Sequence, residues 1–179
     1  MGLATAGGLG MGKFTPEDRV CWSRVPVALI VGNLVMLNHA ATGAETVEGD
    51  VEDGRPGMDS AIESNVVLPE AAFLKHGMFG VVKSLMNGAG ADNTKVLVSF
   101  SGLVDMLVDD AAASDADEAI IARDADAVAL ADVDGNVALL GQKYLGYLRE
   151  ATAGAAAGDV TVSVMFDGIN GIGSALDQA

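Results

Sequence analysis

The chain reads as mainly β: small antiparallel sandwich or barrel modules built from hairpins, with short helices and a flexible, glycine-rich N-terminal arm. Three observations predict it. Glycine is abundant, at 23 of 179 residues, while Trp, Tyr and Phe number only one, two and five. Small and β-branched residues therefore have to build the core, which suits short strands and tight turns. Stretches such as Thr94–Gly102 alternate with a period of two: Val96, Val98 and Phe100 point one way, Leu97, Ser99 and Ser101 the other. Finally, one hairpin-like unit recurs along the chain at a fixed offset. Half of the residues are hydrophobic, so the chain has the material for a core.

Residues 1–15 read as an extended arm. They contain AGGLGMGKFT (6–15), in which Gly7, Gly12 and Lys13 match the first seven places of a phosphate-binding loop. Such a loop follows a buried strand and opens a helix, whose N-terminal amides face the phosphates. Here only six residues precede Gly7, Phe14 stands where the metal-binding hydroxyl belongs, and Pro16 follows at once. The match does not carry nucleotide binding. The segment is instead a flexible arm, with apolar Leu3, Leu9 and Met11 available to dock on a neighbouring subunit.

Residues 16–75 form an N-terminal β region. Val25–Leu37 reads as one or two strands, with Gly32-Asn33 at a turn or bulge. Residues 42–65 are polar and acidic and read as a long exposed loop with a short strand at Glu45–Val47. Val66–Leu68 is a short apolar run, and Pro69–Lys75 a single helical turn with Pro69 at its first position.

Residues 76–179 form a C-terminal β domain. MFGVVKSL (78–85) is a strand, residues 87–93 a turn-rich loop, and TKVLVSFSG (94–102) the alternating strand. LVDMLVDDA (103–111) fits both a helix and a two-sided strand. The acidic, Ala-rich stretch 111–127 reads as a loop with a short helix. Val128–Val133 and Asn136–Leu140 flank Asp134-Gly135, the turn pair of a tight hairpin. Asp132, Asp134 and Asn136 resemble a calcium-loop fragment, but the twelfth place is Lys143 where a Glu is required.

The unit that recurs is GVVKSLMNGAGADNTKVLVSFSGL (80–103), which aligns without a gap to GYLREATAGAAAGDVTVSVMFDGI (146–169). Gly80/Gly146, Val98/Val164, Phe100/Phe166 and Gly102/Gly168 are among the identities. The pattern fits a duplicated hairpin unit, which cannot bury its apolar face alone, or convergence on one hairpin composition.

The formal net charge is −15, with ten Lys and Arg spread along the chain. No basic patch for nucleic acid or an anionic membrane is visible. The acidity fits a solvated surface, a basic partner or a salt-adapted host. No run reaches the roughly 18 apolar residues of a membrane span, and no basic segment precedes an apolar one at the N-terminus, so no secretory signal is expected. Cys21 beside Trp22 reads as a small buried residue, and with His39 and His76 it makes no recognisable zinc spacing. No cofactor or metal is expected. Ten acidic residues between Asp105 and Asp134, mostly beside Ala and Ser, read as a solvated face and not as the paired carboxylates of a hydrolase. The chain is expected not to be an enzyme.

ADAVALADVDGNVALLGQKYLGYLREATAGAAAGDVTVSVMFDG (125–168) resembles the C-terminal half of tailed-bacteriophage capsid decoration, or cement, proteins. The resemblance rests on a strand with a D-G turn, then Gly146, Tyr147, Glu150 and Ala151, an Ala/Gly run, Gly158-Asp159 and the strand Val160–Phe166. Residues 79–102 resemble the preceding repeat, and 31–49 the opening strand and hairpin. The acidic loop 42–65 and the stretch 111–127 depart from the shortest members. The resemblance implies a homotrimer on the outer face of a virion, assembled in the host cytoplasm, that clamps neighbouring major capsid subunits. It implies no direct contact with nucleic acid or membrane. It also implies capsid contact through the arm, at Leu3, Leu9, Met11, Lys13 and Phe14. The competing readings are another virion β-module, such as a head fibre or tail component, and an acidic cation-binding β protein.

Overall fold

A computed structural model describes residues 18–37, 65–86, 88, 90, 91, 94–109, 113–123, 126–131, 142–154 and 159–174. The arm 1–15, the short strand expected at Glu45–Val47 and the Asp134-Gly135 turn lie outside these residues.

The described chain is mainly β and forms two closed five-stranded barrels. Strands β1 (Asp18–Ser23), β2 (Leu34–Leu37), β3 (Asn65–Val67), β4 (Phe79–Leu85) and β5 (Thr94–Ser99) make the first, in the order β1-β3-β2-β4-β5. Strands β6 (Ser101–Asp109), β7 (Ala119–Ile121), β8 (Ala129–Ala131), β10 (Gly146–Leu148) and β11 (Asp159–Asp167) make the second, in the order β10-β11-β6-β8-β7. A ribbon of β9 (Lys143–Tyr144) and β12 (Gly173–Ser174) lies beside it. Closure removes the sheet edges that short strands otherwise leave open. The chain passes from one barrel to the other through a single residue, Phe100. The strands of 79–99 therefore close the first ring.

The two barrels share one topology and one register. Among the described residues of each, a single parallel pair, β1–β3 or β6–β8, interrupts an otherwise antiparallel ring. Shifted by 66 residues, Val81↔Ser99 and Val82↔Val98 become Tyr147↔Met165 and Leu148↔Val164. Cys21↔Val96 corresponds to Met106↔Val162, Val35↔Gly80 to Ile120↔Gly146, and Ser23↔Val66 to Val108↔Ala129. The segments 80–103 and 146–169 thus occupy equivalent positions.

Their shared residues have one packing reason. A Cβ on Gly80 would run into Val98 Cγ1 and the Phe100 ring, and one on Gly146 would meet Val164 Cγ1 and the Met165 carbonyl. The glycine leaves the space that the equivalent valine fills in each barrel, and Phe100 and Phe166 are both buried.

Val35, Leu37, Val66, Val82, Val96 and Val98 fill the first barrel with Cys21 and Phe100. Leu34, Met36, Phe79 and Val81 face the other way and join the core cluster of the second barrel, with Val104, Met106 and Phe166. In return, Ala127 and Ile169 pack against the first core. The barrels share one continuous apolar contact and cannot separate without exposing it.

Several sequence expectations are corrected. Val25–Asn33 is not a strand: only Leu34–Leu37 pairs, while Val25 and Leu29 anchor the connection in the core. Asp18–Ser23, not singled out from sequence, is the first strand. Of the ambiguous stretch 103–111, the described part, Leu103–Asp109, is strand, because β6 pairs with β11 along its whole length. The described residues of 111–127 contain a strand, β7, and no helix; its Ile120 and Ile121 are buried between β8 and β10. Among the described residues the only helical element is a 3-10 turn, Ala71–Phe73, where a turn after Pro69 was expected. The short apolar run at 66–68 becomes β3, which begins one residue earlier, at Asn65.

Candidate interaction surfaces

Among the described residues, the side chains with reactive or metal-binding chemistry lie apart from one another. Cys21 is buried in the first barrel, and burial pushes its thiol up to about 12 although Arg19 partly offsets this. His76 packs edge-on against Phe73, with ring centroids 5.6 Å apart. Asp109 and Asp126 both lie on Arg123, at 3.0 and 3.5 Å. Among the described residues no three His, Cys, Asp or Glu side chains gather in a way that could hold a metal ion.

The most constrained charge is Lys143. Its Nζ donates to the carbonyls of Gly77 at 2.7 Å, Gly168 at 3.1 Å and Ile169 at 2.9 Å, and lies 5.7 Å from the Phe79 ring centroid. Burial holds its pKa below the ordinary lysine value, and Asp167 partly offsets this. The contact is architectural. Gly168 also donates to Phe100 O and accepts from Phe79 N, so Lys143 fastens the chain leaving β11 onto the first barrel. The sequence showed Lys143 only as the residue that spoils a calcium loop.

Among the described residues two groups of large apolar side chains are exposed. On the first barrel, the β1–β2 connection presents Val27, Ile30 and Val31, each more than half exposed. The connection is held rigidly: Asn33 Oδ1 accepts from Ile30 N at 2.7 Å, Asn33 Nδ2 donates to Ala127 O at 3.2 Å, and Gly32, at φ +95, donates to Val82 O. Leu85 at the end of β4 adjoins it, because Gly90 sits tightly between Leu29 and Leu85.

On the second barrel, Leu103, Met165 and Tyr147 form a row across β6, β11 and β10. Leu103 pairs with Met165 and Met165 with Tyr147, and they are 63 %, 48 % and 39 % exposed. The equivalent positions of the first barrel are Asp18, Ser99 and Val81, of which Ser99 and Val81 are buried. One face of the repeated fold is therefore covered in one barrel and open in the other. The sequence hid both surfaces: the first reads as a core strand, and the second needs the cross-strand register to bring three distant residues together.

Over the full sequence both halves are acidic, with six Lys and Arg against eleven Asp and Glu in residues 16–100 and three against fourteen in 101–179. Segment 45–63 alone carries seven Asp and Glu. The arm residues Leu3, Leu9, Met11, Lys13 and Phe14 lie outside the described residues.

A scan of protein-family models finds no match to this chain, and comparison with curated proteins gives none.

Proposed function

We propose that the chain is a non-enzymatic structural protein of a virion, which decorates an icosahedral bacteriophage capsid and clamps neighbouring major capsid subunits from outside. The observation that carries the reading is a rigid pair of like barrels with ordered apolar surfaces, in a chain whose residues 125–168 resemble the decoration proteins. A clamp has to resist deformation, and the shared core and the Lys143 fastening provide for that. It also needs surfaces that bind without reacting, and the exposed rows on both barrels are of this kind. The acidity of the sequence, −15 overall, keeps a densely covered shell soluble.

The test is co-sedimentation of the purified chain with heads of the virus that encodes it, stripped of their own decoration. Saturable binding at a fixed ratio to the major capsid protein, with heads that better survive heating, is expected. A chain that stays in the supernatant at every concentration refutes the reading. Light scattering supplies the second arm: the expected species is near three times 18.1 kDa, unchanged by a calcium chelator. Unfolding on chelation would favour a cation-binding protein instead.

A further inference from the structure

We infer that the β9–β12 ribbon is a cap: it covers, within the chain, the face through which this fold docks barrel on barrel, and so keeps a second copy from adding there.

The repeat identifies the face. The pairs Leu34↔Val81 and Val35↔Gly80 of the first barrel correspond to Ala119↔Tyr147 and Ile120↔Gly146 of the second. Val35 and Ile120 belong to the cores of their own barrels. Their neighbours Leu34 and Met36, and equivalently Ala119 and Ile121, stand on the opposite side of their strands. In the first barrel, Leu34 and Met36 pack into the core cluster of the second. In the second barrel, Ala119 and Ile121 are also buried, at 5 % and 2 % exposed, but beneath Tyr144 of β9 and Ile172 beside β12. The ribbon is held together by the pairs Gly173↔Tyr144 and Ser174↔Lys143, and Ile172 N donates to Tyr144 O at 2.9 Å. It is narrower than a barrel and leaves Tyr147, the equivalent of Val81, partly exposed.

The turn that leads into this face points the same way. Ile30–Asn33 and Asp115–Glu118 are one turn in two copies. Ile30 N donates to Asn33 Oδ1, and Asp115 N to Glu118 Oε2. Gly32 N donates to Val82 O, and Asp117 N to Leu148 O. Gly32 and Asp117 both take a positive φ, and among the described residues Asp117 is the one non-glycine that does so. In the first barrel this turn bonds across to the second: Gly32 O accepts from Leu107 N at 2.8 Å, and Asn33 Nδ2 donates to Ala127 O at 3.2 Å. In the second barrel the same two positions are Asp117 and Glu118, with Asp115 beside them, and Asp115 and Asp117 are exposed. A glycine and an amide that accept a neighbouring barrel are thus replaced by carboxylates that repel one. Covering a sheet and charging its rim are established protections against the addition of another chain, and stacked repeats are ended by caps for the same reason.

The experiment compares the full chain with a chain that ends at Gly171. The truncation removes Ile172 and β12 but keeps the three carbonyls that Lys143 binds. In sedimentation-velocity runs the truncated chain is expected to associate beyond the wild-type species, with an association constant raised roughly tenfold or more as the apolar face is uncovered. Salt is expected to strengthen this association, because it screens Asp115, Asp117 and Glu118 of one copy from those of the next. Adding Asp117→Gly and Glu118→Asn, which copy the first barrel's turn, is expected to strengthen it further and to weaken its salt dependence. Adding Ile121→Lys instead is expected to return the truncated chain to wild-type sedimentation, since the charge then stands on the uncovered face.

A folded truncated chain that sediments like wild type at every concentration and salt overturns the inference, as does association that survives Ile121→Lys. Circular dichroism and Trp22 fluorescence report on folding. If the truncated chain is unfolded, Ile172→Asp in the full chain takes its place, with the same readouts. If that variant is unfolded too, the ribbon is part of the core, and the cap is refuted. None of these outcomes depends on binding to stripped heads, so they leave the decoration reading to its own test.

Discussion

Replacing Lys143 with Met keeps most of the side-chain volume and removes all three hydrogen bonds from its Nζ. A hydrogen bond to a charged group contributes about 1.5–3 kcal/mol, and a buried acceptor left without a partner costs about 1–3 kcal/mol. The Gly77 and Ile169 carbonyls lose this donor, while Gly168 O keeps its bond from Phe79 N. Against this, the buried ammonium no longer has to be desolvated, and that returns a large part of the loss. The expected net destabilisation is about 3 kcal/mol, at the upper end of what single substitutions do. Urea unfolding reads it by two probes: Trp22 fluorescence reports on the first barrel, and far-ultraviolet circular dichroism on both. Because Lys143 ties Gly77 to Gly168 and Ile169, the variant should also separate the two probes' midpoints. Stability against pH gives a second signature. The folded-state pKa of Lys143 lies below its ordinary 10.5, so between these values the unfolded chain binds more protons. Unfolding free energy from this group therefore rises with pH across that window, and Lys143→Met should abolish the rise. A variant within about 0.5 kcal/mol of wild type, the range of a neutral surface change, with coincident midpoints, would refute the fastening role.

Cys21 should resist iodoacetamide in the folded chain and react only under denaturing conditions, as followed by mass spectrometry. Its raised pKa, from 9.0 to about 12, also means that its contribution to stability is complete below pH 9 and is lost as pH rises through 12. Gly146→Ala would place a Cβ 2.5 Å from the Met165 carbonyl, so thermal unfolding should show a loss of about 1–3 kcal/mol, as overpacking typically gives. Deleting residues 1–13 should leave the circular-dichroism spectrum and unfolding midpoint unchanged while weakening attachment to stripped heads. A truncated chain that fails to fold would place the arm in the core.

The fold class was legible where local pattern and tertiary demand agree. Val96, Val98 and Phe100 alternate and are buried together, and Gly80 and Gly146 recur because equivalent valines need their space. The pattern failed where burial is set by the partner barrel. Leu34 and Met36 are buried on the outer side of their strand, so β2 is apolar on both faces and shows no alternation. Val27, Ile30 and Val31 continue that run in sequence but stand in solvent, which made a connection look like a strand. Ile120 and Ile121 were hidden among Ala and Asp, and only their pairing with β8 and β10 reveals a strand. The exposed row of Leu103, Met165 and Tyr147 depends on register, which no one-dimensional pattern specifies.

The passage through Phe100 has a mechanical meaning. Because β5 continues into β6 across one residue, tension on the first barrel enters the second along the axis of β6. There it meets nine register pairs with β11, from Ser101↔Asp167 to Asp109↔Asp159. Pulled lengthwise, such a ladder is sheared and its bonds share the force. Pulled sideways, it would be peeled apart pair by pair. The chain is thus wired so that stretching along this line meets its stiffest direction.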